Sequence, residues 1–380
     1  MKLALVIYSL SEGGAERVMS LMANYWSVQE VDVYLLSLDS MDSDVYPLDG
    51  KVHRLVLDQC GHSKNPFEAI ANNLRRVRHL RSALHAIHPA AVISFMEATN
   101  VITILATRGL DMKVVVMEHT NPEVHQVGWF WNTLRRLTYR FADRVGVLTE
   151  RSRPWAERLA KPGSVFVLPN AINLASATGG DAVHLRTFAG LPEGARVVVS
   201  MGRLSPEKGF DLLIHVFKQL APSHLDFHLV ILGEGAGRGV LEQAREMSGV
   251  AERIHLPGRV SNPIAYLQQC DLFVMSSRYE GFPMALCEAM ASGLPVISFD
   301  CPTGPSEIIR NEVDGLLVQD GDLHGLADAM HRLMSDDDLR RALGARGPEV
   351  LERFSESRIM GEWNRMLDRL TGHWLLEPGP

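Results

Sequence analysis

S-S-R-Y-E-G-F-P-M-A-L-C-E-A-M-A-S-G-L-P-V-I, residues 276–297, is the stretch around which the rest of the chain can be read. The apolar run 272–275 before it reads as a strand, 284–291 has helical character, and Gly293 and Pro295 close the helix ahead of the next apolar run. Between strand and helix lies a loop built for close approach. Gly281 lets the backbone come near a ligand, and Pro283 suits a helix start, so the free amides of the first turn point outward. Unpaired N–H groups and the positive end of a helix dipole favour an anion, phosphate above all. Two carboxylates flank this site: Glu280 before the turn and Glu288 inside the helix. They accept hydrogen bonds from hydroxyl groups, which a phosphate does not offer. A ligand carrying both phosphates and sugar hydroxyls satisfies both halves.

A second loop has matching chemistry. M-G-R-L-S-P-E-K-G, residues 201–209, follows an apolar strand pattern and precedes a helix, and it carries Arg203 and Lys208. A planar fork and a point charge together suit a diphosphate. At these residues the chain resembles the retaining family 4 glycosyltransferases, whose Glu-x7-Glu signature is similar to E-G-F-P-M-A-L-C-E, residues 280–288. The resemblance implies that Glu280 meets the donor sugar and Glu288 the ribose. The intervening Gly281, Phe282, Pro283, Met284, Ala285 and Leu286 would line the diphosphate, with Arg203 and Lys208 as the phosphate-binding pair. P-G-R-V, residues 257–260, looks like the segment whose backbone reads the nucleobase, which places Val260 beside the donor. G-G-A-E-R-V, residues 13–18, looks like the loop that faces sugar and acceptor through Gly14 and Gly13. His119, just beyond a strand in E-H-T-N, occupies the position of a histidine beside the donor sugar, with Asn121 toward the acceptor.

Composition sets the frame for these motifs. A chain of 380 residues exceeds the usual single core, so two domains are expected. Hydrophobic content of 46% and charged content of 22% are those of an ordinary globular protein, and a net charge of -7 argues against general nucleic-acid binding. Cys60, Cys270, Cys287 and Cys301 form no CxxC pair and read as reduced thiols of a cytosolic protein. The apolar run 3–10 is too short and wrongly flanked for a signal peptide or a membrane span.

Along the chain, continuous apolar runs at 3–8, 31–37, 52–55, 90–95, 114–117, 145–148 and 165–168 read as buried parallel strands with helices between them. The alternation resumes at 197–201, 227–232, 254–256, 272–275, 296–299 and 315–318, after a weakly patterned linker over 174–192. The expected architecture is α/β of the GT-B type: two Rossmann-like, doubly wound parallel-sheet domains facing a central cleft. Residues 1–173 form an acceptor-binding domain, 174–355 a nucleotide-sugar-binding domain, and 356–380 a helix crossing back to the first. In the first domain, Arg75, Arg78 and Arg81 recur every third residue on a long helix over 67–87. They read either as a solvated face or as a row of cations for a lipid-linked diphosphate acceptor. The stretch 129–141 mixes Trp129, Phe130 and Trp131 with Arg135, Arg136 and Arg140, as a basic amphipathic helix lying on an anionic membrane surface does, or as core plus solvated surface.

D-S-D at 42–44 and D-G-D at 320–322 read as solvated loops and not as metal sites, and G-E-G-A-G-R at 233–238 as a tight turn and not as a dinucleotide fingerprint. No metal or cofactor is expected to be required, since Arg203, Lys208 and helix amides stabilise the leaving diphosphate. The resemblance implies transfer of a hexose or N-acetylhexosamine, with retention, from a nucleotide sugar to a lipid-linked glycan, UDP being the favoured carrier. The location implied is cytoplasmic, peripheral at the inner face of the membrane. An epimerase or phosphorylase on the same fold, or a non-catalytic nucleotide-sugar-binding regulator, are the other readings.

Overall fold

The computed structural model describes residues 1–11, 13–41, 44–57, 65–124, 127–173 and 184–372. Cys60, Asp42, Ser43 and the first part of the expected linker, 174–183, lie outside them. The chain divides into two units, one of residues 1–171 with the tail from Ser357, the other of Ile172–Glu356.

In the first unit the apolar runs become β1 (Lys2–Ile7), β2 (Asp32–Ser37), β3 (His53–Val56), β4 (Ala91–Phe95), β5 (Lys113–Met117), β6 (Arg144–Val147) and β7 (Val165–Val167). All pair in parallel, in the order β3-β2-β1-β4-β5-β6-β7. Every residue of β4 and all but the first of β1 are buried, because helices cover both faces of the sheet. Those helices are α1 (Gly14–Val28), α2 (Pro66–Ile87), α3 (Glu97–Thr107), α4 (Gly128–Thr138) and the short α5 (Arg153–Glu157). Asn65 caps α2 by accepting from the Glu68 amide, and Pro66 opens its first turn.

The second unit holds α6 (Leu185–Ala189), β8 (Arg196–Met201), α7 (Phe210–Leu220), β9 (Phe227–Leu232), α8 (Arg238–Glu246), β10 (Ile254–Gly258), α9 (Pro263–Leu267), β11 (Leu272–Met275), α10 (Met284–Ala291), β12 (Val296–Asp300), α11 (Pro305–Ile308), β13 (Leu316–Gln319), α12 (Leu323–Ser335), α13 (Asp337–Arg346) and α14 (Val350–Phe354). Its six strands are parallel in the order β10-β9-β8-β11-β12-β13. The final helix, α15 (Glu356–Thr371), packs with the first unit, where the Trp26 indole N–H donates to Asn364 Oδ1 at 2.8 Å and Trp363 meets the Trp26 and Phe166 rings edge-on.

Two Rossmann-like domains are what the alternating pattern predicts. In each, strand order reverses once, between β1 and β4 and between β8 and β11. Open α/β sheets bind ligands outside the carboxyl ends of the strands at such a reversal.

Of the two readings of 129–141, core plus solvated surface matches the structure. The stretch 129–141 is not a single amphipathic helix, since α4 ends at Thr138 and a 3-10 turn, Tyr139–Phe141, follows. Its cations do not share one solvated face either, because Arg135 is 2% exposed. A carboxylate inside the domain draws it in, as described below.

Candidate functional site

In the second unit, the loops after β8 and β11 are stitched together by backbone groups. The 3-10 turn Pro206–Lys208 ends at Gly209, whose φ is 62°, and a Cβ there would lie 2.1 Å from the Ser276 carbonyl oxygen. Only glycine fits. Ser276 Oγ donates to the carbonyls of Gly209 (2.9 Å) and Lys208 (3.2 Å). The Arg278 amide donates to the Glu207 carbonyl at 2.8 Å, and the Arg278 guanidinium grips Asp211 with two bonds of 2.9 and 2.7 Å, holding that carboxyl below its usual range. This stitching fixes Lys208 against Glu280. Lys208 Nζ donates to both Glu280 oxygens, at 2.7 and 2.9 Å, with 24% of the lysine side chain and 9% of the glutamate side chain exposed. Ser277 Oγ donates to Glu280 Oε1 at 2.6 Å, and Thr303 Oγ1 donates to the Glu280 carbonyl.

Beyond Glu280, Gly304 at φ 102° allows Pro283 to approach so closely that a Cβ would meet its Cδ at 2.6 Å. Pro283 then starts α10, whose first-turn amides have no side-chain cap. Met284 and Ala285 are half-exposed there, while Phe282 and Leu286 are buried. Glu288 follows Met284 by four residues, so it lies on the same helix face one turn on, and it is 2% exposed. Gly202 packs on the Lys208 stem, where a Cβ would come within 3.4 Å, and Arg203 beside it is exposed. Val260 is half-buried just past β10, whose last residue, Gly258, accepts from the Gly233 amide at 2.8 Å.

The site residues of the first unit are built differently. Gly13 caps α1 without a side chain, its carbonyl accepting from the Tyr46 hydroxyl at 3.1 Å, and around Gly14 a Cβ would meet nothing within 4 Å. Met96, at the end of β4, holds φ at 73°, a strained conformation for a side chain of its size. His119 follows β5 with its ring 3.9 Å from that of Phe95. Both ring nitrogens are buried and have no hydrogen-bond partner among the described residues, and desolvation pushes the imidazole down to about 3. It is therefore neutral at physiological pH. Asn121 is buried, its side chain accepting from the Glu123 amide at 3.0 Å.

Next to His119, a chain of buried polar groups ties β4, α3, β5, α4 and the 3-10 turn Tyr139–Phe141 together. Ser94 Oγ donates to Asn100 Oδ1 (2.8 Å), and Asn100 Nδ2 donates to the Tyr139 hydroxyl (3.1 Å) and the Met117 carbonyl (3.0 Å). Tyr139 donates in turn to Glu118. The Arg135 guanidinium donates to Glu118 (3.3 and 3.4 Å) and to Asn132 (2.6 Å), and it lies 4.8 Å from the centre of the Trp155 ring. Burial raises the Glu118 carboxyl and Arg135 opposes the shift; burial, then Glu118, push the Tyr139 phenol well up. This network was not legible as a unit. Asn132, Arg135 and Tyr139 at i, i+3 and i+7 are the signal that places the three on one helical face.

The expected cation row separates into unlike members. Arg75 and Arg78 are exposed, Arg75 donating to Asn72 Oδ1 at 3.2 Å, whereas Arg81 donates to the carbonyls of Ala106 (2.9 Å) and Arg108 (2.7 Å) at the end of α3. Of the acidic loops, Asp44 is held by Arg54 through bonds of 2.9 and 3.0 Å, and Asp322 caps α12 through the Gly325 amide. In 233–238 the turn packs on Leu204, and Arg238 pairs with Glu234 and Glu242. No group of three or more His, Cys, Asp or Glu gathers among the described residues. Cys287 and Cys301 are buried, and burial raises both thiols.

Residues 184–350 match the family model for glycosyl transferases group 1, and residues 12–176 match that for glycosyltransferase family 4. The chain belongs to these glycosyltransferases. Over 371 residues this glycosyltransferase is 28% identical to the GalNAc-alpha-(1->4)-GalNAc-alpha-(1->3)-diNAcBac-PP-undecaprenol alpha-1,4-N-acetyl-D-galactosaminyltransferase of Campylobacter jejuni, covering 97% of this chain and 98% of the relative. It is 26% identical to the amylovoran biosynthesis glycosyltransferase AmsD of Erwinia amylovora, over 97% of this chain and 99% of that one. Among solved structures, sucrose-phosphate synthase from Thermosynechococcus elongatus superposes with a TM-score of 0.82 at 20% identity, covering 97% of this chain and 100% of the other. HepE of Anabaena in complex with UDP gives 0.76 at 19% identity, with coverage of 97% and 100%. The fold of the glycosyltransferase is thus GT-B.

Proposed function

We propose that this glycosyltransferase moves a hexose or N-acetylhexosamine from a nucleotide sugar, with UDP as the favoured carrier, to a lipid-linked glycan in polysaccharide or oligosaccharide assembly, with retention of anomeric configuration. The observation that carries the donor half is the Lys208–Glu280 pair, a cation and a carboxylate held together at the carboxyl ends of β8 and β11, beside the uncapped start of α10. A nucleotide sugar offers each a partner. Its diphosphate takes Lys208, Arg203 and the amides of Met284 and Ala285, its sugar hydroxyls take Glu280, and its ribose takes Glu288. The relatives named for transfer to a diphospho-undecaprenol glycan and for amylovoran synthesis support the acceptor class, and a neighbour of the same fold solved with UDP supports the nucleotide.

In the reaction the bond from the anomeric carbon to the phosphate oxygen breaks, and the acceptor hydroxyl oxygen bonds to that carbon. The hydroxyl proton passes to the leaving phosphate on the same face. Fixed cations and amides stabilise the charge that develops on the diphosphate, so no metal is required. A neutral His119 with both ring nitrogens unpartnered can donate to, or accept from, a donor-sugar hydroxyl. The exposed side chains of Phe67, Ile70 and Leu74 on α2, the helix that carries exposed Arg75 and Arg78, and that of Trp129 on α4 support an acceptor presented at the cytoplasmic membrane surface. No helix among the described residues is long and apolar enough to cross a membrane.

The test is calorimetric titration of UDP, GDP and ADP, each with and without an attached hexose or N-acetylhexosamine, into the protein and into Arg203→Ala. One nucleotide binding best, and weakening in the variant, is the expected result. Absence of binding by all of them would overturn the donor assignment.

A further inference from the structure

We propose that a second polar pocket, in the first unit between α4, α5 and the loop after β5, is a binding site for a phosphate group. The pocket has a volume of about 310 Å³ and is lined by Glu123, Asn132, Arg135, Arg136, Trp155 and Leu159 together with Pro122. A volume worth roughly ten waters holds a phosphate ester with room to spare.

Its charge decides the ligand class. Arg135 is almost wholly buried; its terminal nitrogens serve Glu118 and Asn132, while its Nε is a buried donor with no partner among the described residues. Arg136, beside it, is exposed and makes no hydrogen bond or ion pair among the described residues. Glu123 faces the pocket as well, yet its carboxylate is matched by Arg158 at 2.7 Å. Arg135 is answered by Glu118, which also feels Glu97, and Arg158 by Glu123, so Arg136 is the pocket's guanidinium that no carboxylate among the described residues matches. A phosphate diester or monoester carries the complementary charge and the acceptor oxygens that a guanidinium fork engages best. A neutral sugar would leave that charge unmatched, and a cation would be repelled.

The source of the phosphate is written on the same helix. Trp129, Asn132 and Arg136 stand at i, i+3 and i+7, so one face of α4 carries both an indole that is 80% exposed and two residues of the pocket. An exposed indole beside a phosphate site is the arrangement expected where headgroups lie against a protein surface. A soluble phosphate ester presents the same chemistry, and the experiment separates the two.

The protein is labelled with 5-fluorotryptophan, and the Trp155 resonance is assigned by its loss in Trp155→Phe. Inorganic phosphate, phosphatidylglycerol vesicles and phosphatidylcholine vesicles are then titrated into the intact chain, Arg136→Gln and Arg140→Gln. Arg136 and Arg140 are both exposed, so neither change threatens folding, and circular dichroism checks this. The expected result is a saturable shift of Trp155 with inorganic phosphate, weakened about tenfold in Arg136→Gln, as loss of one charge-assisted bond implies, and unchanged in Arg140→Gln. A stronger shift with phosphatidylglycerol than with inorganic phosphate assigns the site to a lipid headgroup; a shift with inorganic phosphate alone assigns it to a soluble ester. No shift with any probe, or one that survives Arg136→Gln, overturns the proposal. The donor site in the second unit does not enter, because the readout is Trp155.

Discussion

The two Rossmann-like units share a sheet plan but prepare their loops in opposite ways. After β8 and β11 the second unit sets ionised groups directly against one another, Lys208 on Glu280 and Arg278 on Asp211, in partly solvated loops. After β5 the first unit does the reverse. It strips water from His119 until the imidazole is neutral, and buries Glu118 and Arg135 beneath it in a network closed by Tyr139. On the proposed reading, one fold supplies charge where a leaving group is stabilised and low polarity where a neutral donor or acceptor is oriented.

The largest expected effect breaks the charged side of this comparison. Lys208→Ala should lower turnover by about two to three decades, the cost of losing one donor at an anion-stabilising site, and Glu280→Gln should lower it too, by removing the carboxylate that accepts from the donor sugar on the proposed reading. Steady-state kinetics on a matched donor and acceptor would measure this, and near-normal rates in both would remove the pair from the chemistry. On the desolvated side, Tyr139→Phe leaves Glu118 and Asn100 each short of a partner and should cost about 1–3 kcal/mol of stability. Scanning calorimetry would register this as a lowered Tm, by about 2–4 °C per kcal/mol for a domain of this size.

Acid sharpens the contrast. Burial pushes His255 down to about 4, aided by His228 at 3.0 Å, and burial also lowers His228 and His224 in the second unit. A histidine whose folded value is depressed favours the folded state above its unfolded value near 6.5, and that stability is lost as pH falls toward the folded value. Tm should therefore drop between pH 6.5 and about 4, with the loss from His119 continuing toward its own value of about 3. His255→Gln should flatten the Tm–pH curve only between pH 6.5 and about 4, and His119→Gln from 6.5 down to about 3. Identical curves in both variants would deny the assignment. The smallest effect concerns α2: Arg75→Ala and Arg78→Ala should raise the acceptor KM several-fold at unchanged Tm, roughly what one lost exposed charge contact costs. Arg81→Ala should lower Tm instead, because its guanidinium satisfies two carbonyls at the end of α3.

Much of the architecture was legible because buried parallel strands are continuous apolar runs. The segment 3–8 and the valines of 114–116 announce β1 and β5 with little ambiguity. Glu280 and Glu288 were legible as a pair, since seven intervening residues form a loop and one helical turn. What was not legible depends on contacts across long separations. Nothing in the spacing of Lys208 and Glu280, 72 residues apart, says that they touch; Gly209 and Ser276 bring this about through a backbone approach that only glycine permits. Arg135 was read with its neighbours as a surface cation, because helical periodicity reports which residues share a face and not which carboxylate waits beneath it. Arg81 departs from Arg75 and Arg78 for the same reason, since the carbonyls that hold it end a different helix.

The Lys208–Glu280 pair has a consequence for selectivity and turnover on the proposed reading. An incoming anion that lures Lys208 away strands a carboxylate that is 8% exposed, unless the same molecule brings hydroxyls for Glu280. Bare phosphates and free nucleoside diphosphates carry no such hydroxyls at that position, so the resting pair screens them out while admitting the glycosylated form. Once the sugar has left for the acceptor, Glu280 competes for its lysine again and the spent nucleotide is loosened from its berth. The ratio of affinities for sugar-bearing and sugar-free nucleotide should therefore shrink in Glu280→Gln, making one ion pair both doorkeeper and ejector.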